Sequence, residues 1–121
     1  MVNPTLDDQI FQQQFEQAQA AAELANLTEP RAIAAYYEPN DRTITVRLRS
    51  GASFRFPVDI VQGLAGAETQ DLTQVEVTPM GDGLHWETLD TDFTIAGLLA
   101  GRFGTKKWMV KLQQEWLQTA C

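Results

Sequence analysis

Three short alternating runs follow one another between residues 31 and 58, and they restrict the fold more than any other feature of the sequence. Arg31–Tyr37, Arg42–Arg49 and Ser53–Val58 are rich in β-branched and aromatic residues, with apolar side chains at every second position. Pro39-Asn40-Asp41 and Ser50-Gly51 separate them, and these residue types favour turns. The predicted element is an antiparallel meander. Leu48 facing Phe54 would place Val46 opposite Phe56 and Ile44 opposite Val58, all six on one face. A slip of one residue would send the set to the other side, so the pattern specifies the face. The first strand fits with Tyr36 near Ile44 and Ala34 near Val46. The opposite face would then carry Ile33, Ala35, Tyr37, Thr43, Thr45, Arg47, Arg49, Ser53 and Arg55, with Arg47 across from Arg55. Like charges so placed destabilise a ladder by up to about 1 kcal/mol. Either a carboxylate or an anionic partner sits between them, or the two heads splay into water.

Helical signals flank the meander. Thr5 can cap a helix over residues 5–27, with Asp8 three residues on as a variant capping box. Phe11, Phe15, Ala18, Ala22 and Ala25 form one stripe at helical spacing, and Asn26-Leu27-Thr28-Glu29-Pro30 ends it. Asp59–Leu64 and Thr69–Leu72 read as helical turns. Val75–Val77 and Leu84–Trp86 read as a short hairpin around Met80-Gly81-Asp82-Gly83. Thr94 is placed to cap a short helix over Ile95–Ala100, with Gly101 as its left-handed stop. Gly104-Thr105 opens a last helix in which Trp108, Leu112 and Trp116 recur every four residues beside Met109. The predicted fold is α+β: a twisted antiparallel β-meander plus a short second hairpin, packed against N-terminal and C-terminal amphipathic helices. Residues 1–29 read as a helical extension and residues 30–121 as the α+β domain.

A chain of 121 residues with 44% apolar and 21% charged residues can bury a single core. No apolar run approaches the ~20 residues that cross a bilayer. The start of the chain lacks the basic-then-apolar pattern of a secretion signal, and the one cysteine, Cys121, makes no internal disulfide. A cytoplasmic location is expected. The net charge of −7 marks an acidic protein and argues against non-specific binding of nucleic acid or anionic membrane. Charge is also segregated. Residues 31–58 hold five arginines against Glu38 and Asp41, residues 59–92 hold eight acids and no lysine or arginine, and residues 102–121 hold four bases and one acid. Basic and acidic blocks can lie side by side and neutralise each other, or one block can face a partner.

The stretch from Gly81 to Gly101 carries a recognisable pattern. Val75-Glu76-Val77, Gly83-Leu84-His85-Trp86, Leu89-Asp90-Thr91-Asp92-Phe93-Thr94-Ile95 and Gly97-Leu98-Leu99-Ala100-Gly101, following a strand meander, resemble the bacterial domain-of-unknown-function family 2442. The segment Gly104-Thr105-Lys106-Lys107-Trp108-Met109 resembles many of its members too, so the resemblance spans about residues 31–112. Glu87 and Thr88 stand where the family often has a proline. The N-terminal helix lies outside the pattern. The resemblance implies a small α+β domain and brings no activity and no catalytic residues. It also implies regulation, through fusion to helix-turn-helix segments or an antitoxin-like pairing with a small toxin.

His85, the only histidine, stands near Glu87, Asp90 and Asp92, and in a strand it would share a face with Glu87, an acid/base pairing. The rest of a site is missing from the sequence. There is no second histidine, no Gly-x-Ser-x-Gly elbow and no glycine-rich phosphate loop. Asp90-Thr91-Asp92 supplies two ligands of a calcium loop without the remainder. No catalytic, metal or cofactor residues are therefore assigned. Gly83, Trp86, Asp90, Asp92, Gly97, Leu98, Gly101 and Trp108 read as structural. Leu84, Trp86, Leu89, Phe93, Leu98 and Leu99 would form core, and Asp90, Asp92 and Thr94 would satisfy backbone donors at a bend. Candidate partner contacts are Phe11, Phe15, Arg47, Arg49, Arg55, Lys106, Lys107 and Trp116. The reading is a non-enzymatic regulatory or adaptor protein that binds another protein, with a homo-oligomer through the N-terminal helix as one form. The alternatives are a nucleic-acid-linked regulator using the three arginines or the Lys106, Lys107 and Lys111 helix, and an enzyme or metal site around His85.

Overall fold

The computed structural model describes residues 6–119; Thr5 and Cys121 lie outside the described residues. Helix α1 (Leu6–Thr28) leads into strands β1 (Ala32–Glu38), β2 (Thr43–Leu48) and β3 (Ser53–Pro57), which form one antiparallel sheet in that order. After a single helical turn at Val58–Ile60 and a short helix α2 (Thr69–Leu72), strands β4 (Glu76–Val77), β5 (Gly83–Trp86) and β6 (Thr91–Thr94) form a second three-stranded sheet. Helices α3 (Ile95–Leu99) and α4 (Lys106–Thr119) follow. The fold is α+β.

The core lies between the two sheets. Ile44, Val46, Leu48 and Phe56 from the meander meet Leu84 and Trp86 of β5, Ile95 and Leu98 of α3, and Val58, Val61, Leu64 and Leu72 of the connecting segment. Fully burying one such side chain contributes roughly 1.5–3 kcal/mol, so this cluster outweighs any single polar contact.

The meander's register differs from the expectation by two residues. Val46 pairs with Phe54, Ile44 with Phe56 and Arg47 with Ser53. The hairpin sets this. The Leu48 amide donates to the Ala52 carbonyl at 2.8 Å, closing a loop of Arg49, Ser50 and Gly51, and Gly51 takes φ 98°, the left-handed position that three-residue hairpins require. An even shift keeps the same residues facing inward, so the predicted face is retained while Arg47 no longer opposes Arg55.

Strand β1 is the other departure. Ala32 pairs with Leu48, but Ala35 pairs with Val46 and Tyr37 with Ile44, and the register shifts between Ala32 and Ala34. A bulge there inserts one residue and exchanges the faces. Tyr37 is buried and Tyr36 is 45% exposed, the reverse of the expected placement. The second sheet also gains a strand. Residues 91–94, read from sequence as a turn and a cap, form β6, with Leu84 opposite Phe93 and His85 opposite Asp92. Of the expected core in that region, Leu84, Trp86 and Leu98 are buried, Leu89 and Phe93 are half-buried, and Leu99 is exposed.

Helix α1 does not lie on the meander as expected: every described side chain from Asp8 to Leu24 is exposed. The inner face of the meander is already covered by the second sheet. The outer face, with Thr45, Arg47, Ser53 and Arg55, offers an apolar stripe little to bury against. Alanine, glutamine, glutamate and leucine are strong helix formers, and they support the helix locally.

Candidate functional site

Strand β5 buries Leu84 and Trp86 and so turns His85 outward, where the imidazole is 27% exposed. Its cross-strand neighbours are Glu76 on β4 and Asp92 on β6. Nδ1 lies 2.5 Å from an Asp92 carboxylate oxygen, and Nε2 lies 2.6 Å from Glu87, two residues on. Carboxylates accept, so this geometry favours the doubly protonated ring, in which both nitrogens donate. The Glu87 and Asp92 hydrogen bonds raise its pKa above 6.5, against a smaller opposing effect of burial.

This geometry limits the chemistry. A general base needs an open lone pair within reach of substrate, and here each nitrogen faces a carboxylate at hydrogen-bond distance. A hollow of about 230 Å3 nearby is lined by Thr78, Asp82, Gly83, Leu84, Asp92, Phe93 and Thr94, not by the imidazole. Among the described residues no group of three histidine, cysteine, aspartate or glutamate side chains is placed to hold a metal ion. What the cluster does is fasten β5 to β6 and to the turn at Glu87–Leu89. Asp92 was expected to satisfy backbone donors; its carboxylate is directed instead to His85, because the unexpected strand β6 turns it to the outer face beside the ring.

The other residues of this stretch are placed as follows. Gly83 is buried and its amide donates to Thr78 Oγ1 at 2.9 Å. Asp90 closes the Glu87–Leu89 turn at φ 47°. The Gly97 amide donates to Thr94 Oγ1 at 2.9 Å, the expected cap of α3, and Gly101 ends that helix at φ 81°. Leu98 is buried, and Trp108 donates its indole N–H to the Ile60 carbonyl at 2.9 Å.

A second clasp has no counterpart in the sequence reading. Arg42 takes φ 54° and donates from Nε and Nη2 to both oxygens of Asp59 at 2.9 Å, and from Nη2 to the Ala67 carbonyl at 3.2 Å. The Asp59 carboxylate also accepts the Gly66 amide at 3.1 Å, and its pKa falls from 3.8 to about 2. Arg42 thus joins the basic block to the acidic block at its first residue. The signal was only an arginine directly after a Pro-Asn-Asp turn.

The candidate partner contacts do not form one site. Arg47, Arg49 and Arg55 are exposed on or beside the meander, and Arg55 lies 3.6 Å from Asp41. Lys106 and Lys107 are exposed in the first turn of α4. Phe11 and Phe15 are 70% and 55% exposed on α1, and Trp116 is 67% exposed on α4. Trp116 lines an apolar groove of about 250 Å3 with Ile60, Phe103, Met109, Leu112 and Gln113. Ile60 and Phe103 were not singled out from sequence. Phe103 is positioned by its ring contact with Phe56 at 6.2 Å between centroids, and its amide by Met109 Sδ at 3.3 Å.

The family model described as "Protein of unknown function (DUF2442)" matches residues 32–104. The crystal structure of a protein of unknown function from Rhodospirillum rubrum is 49% identical with a TM-score of 0.65, covering 68% of this chain and 99% of that one. The solution structure of an uncharacterised protein from Chromobacterium violaceum is 30% identical with a TM-score of 0.65, covering 81% of this chain and 90% of that one. Among curated proteins none matches this chain. No helix among the described residues is long and apolar enough to cross a membrane.

Proposed function

We propose, for a chain that belongs to the DUF2442 family, a non-enzymatic adaptor or regulatory role in the bacterial cytoplasm, exerted by binding protein through its two terminal helices. The observation that carries this reading is apolar surface held out to solvent at both ends: Phe11 and Phe15 on α1, and Val110, Trp116 and Leu117 on α4, all more than half exposed. Aromatic side chains of this kind are typical interface anchors. The His85 ring, with both nitrogens engaged by carboxylates, supports a role for that cluster in holding strands together.

Crosslinking in cells that make the protein, followed by peptide mapping, tests the reading. The full chain is expected to give protein crosslinks that map to α1 or α4, and Phe11→Ser with Phe15→Ser is expected to deplete those on α1. Crosslinks absent from both helices would refute it.

A further inference from the structure

We propose that α1 of one copy docks on a second copy of this chain, its Phe11 and Phe15 entering the groove between α4 and the Ile60–Phe103 edge. The proposal rests on the protein-binding reading above and names its partner.

Shape and chemistry agree first. Phe11 and Phe15 lie one helical turn apart on a single face, both exposed. An apolar protein cavity of about 150 Å3 accepts a benzene ring. The groove of about 250 Å3 has room for one phenyl group and part of a second. An amphipathic helix laid in an apolar groove with anchors at i and i+4 is an established mode of recognition.

Charge selects the partner. Residues 1–30 contain five acids and no base. The last twenty residues contain four bases, Arg102, Lys106, Lys107 and Lys111, against Glu115. Two of those bases line a hollow that adjoins the groove: Arg102, Gly104, Lys106, Met109 and Val110 form it, and Met109 belongs to both. An acidic helix with a phenyl stripe and a basic-rimmed apolar groove are complementary, and one chain carries both.

The chain's own groove is filled by another copy's arm because α1 is rooted elsewhere. Its last turn lies beside Leu48, Arg49 and Ser50, at the β2–β3 hairpin. The groove lies beyond the far end of β3, where Phe56 meets Phe103. Only three residues join α1 to β1; Arg31 among them is buried, and the next amide, Ala32, is bound to the Gly81 carbonyl at 2.7 Å. Reciprocal docking of two arms gives a closed twofold dimer. Four phenyl side chains and the surfaces they cover bury on the order of 1,000 Å2, the lower end for a specific interface.

Analytical ultracentrifugation of the full chain from about 1 to 200 µM tests this. A monomer–dimer equilibrium is expected, weakening between about 0.05 and 0.5 M salt. Phe11→Ser with Phe15→Ser, and separately Trp116→Ser, are each expected to raise the dissociation constant at least about tenfold. Both changes are at exposed positions, and circular dichroism checks that the fold is kept. Mixing the two variants restores one intact arm–groove pair and is expected to give a heterodimer. A full chain that stays monomeric at about 200 µM overturns the proposal. So does a dimer indifferent to both variants. A monomer whose α1 crosslinks to other proteins persist would leave the protein-binding reading standing with a different partner. A monomer with α1 amides protected from exchange would mean the arm folds onto its own chain.

Discussion

Replacing Gly81 by alanine tests how the two sheets are joined. Gly81 has φ 76°, and its carbonyl accepts the Ala32 amide at 2.7 Å, the bond that ties the start of β1 to the turn before β5. A Cβ at this position would lie 2.7 Å from the Ala32 carbonyl oxygen and 3.3 Å from the Ala32 nitrogen. Two costs follow. A left-handed conformation costs a non-glycine residue roughly 1–2 kcal/mol. The contact is with backbone, which cannot swing aside as a side chain can, so the Ala32–Gly81 bond must lengthen, forfeiting about 1 kcal/mol more. The expected total is about 2–3 kcal/mol. Gly51→Ala is the control: φ there is 98°, but nothing lies within 4 Å of the added carbon, so only the same conformational cost of roughly 1–2 kcal/mol applies. Urea unfolding followed by tryptophan fluorescence should separate the two variants by about 1 kcal/mol, or about 0.5 M in midpoint. Equal destabilisation would refute the close approach as the reason for glycine at position 81.

Three other outcomes are expected. The His85 ring should titrate above pH 6.5, because Glu87 and Asp92 favour its charged form. A pKa raised on folding means this contribution to stability is complete below about pH 6.5 and is lost as pH rises through the folded value; Asp92→Asn should lower the midpoint seen by NMR, and His85→Gln should flatten the melting temperature against pH in that window. Asp59 behaves in the opposite sense: with its pKa lowered from 3.8 to about 2, its contribution is present above pH 3.8 and fades as pH falls toward 2, and Arg42→Gln should remove that dependence in acid unfolding curves. Trp108→Phe removes the indole donor to the Ile60 carbonyl, 2.9 Å away, and should cost about 1 kcal/mol by calorimetry.

Period was legible in the sequence, and register was not. Ile44, Val46, Leu48 and Phe56 are buried and Phe54 packs half-buried against them, because an alternation of two survives any even shift; Val58 is buried in the turn after β3. Choosing between even registers required the length of the Arg49–Gly51 loop, which the residues 48–54 do not specify by hydrophobicity. In β1 the stretch Ala32–Tyr37 has a tyrosine on each face, preceded by three alanines and Ile33, so neither phase dominates. The bulge is decided by contacts far along the chain, above all Gly81 holding Ala32 inward. Strand β6 was hidden because Asp90, Thr91, Asp92 and Thr94 all favour turns and caps; pairing with β5 overrides that preference. At the candidate site, the His85–Glu87 pairing was expected from a shared strand face; Glu87 stands instead in the turn that follows β5, and its carboxylate still reaches the ring. The Asp92 contact depended on cross-strand placement, and the Arg42–Asp59 clasp on a left-handed arginine that no local pattern announces.

The short link between Thr28 and Ala32 makes α1 a ruler as much as a hook. Three extended residues span at most ~11 Å, and a helix advances 1.5 Å per residue, so Phe15 and Phe11 stand about 20 and 26 Å from the helix's last residue. Inserting a full turn of residues between Ala18 and Ala22 would preserve the stripe and lengthen the measure by about 5 Å. Inserting two would keep nearly the same length while swinging both rings to the wrong side of the rod.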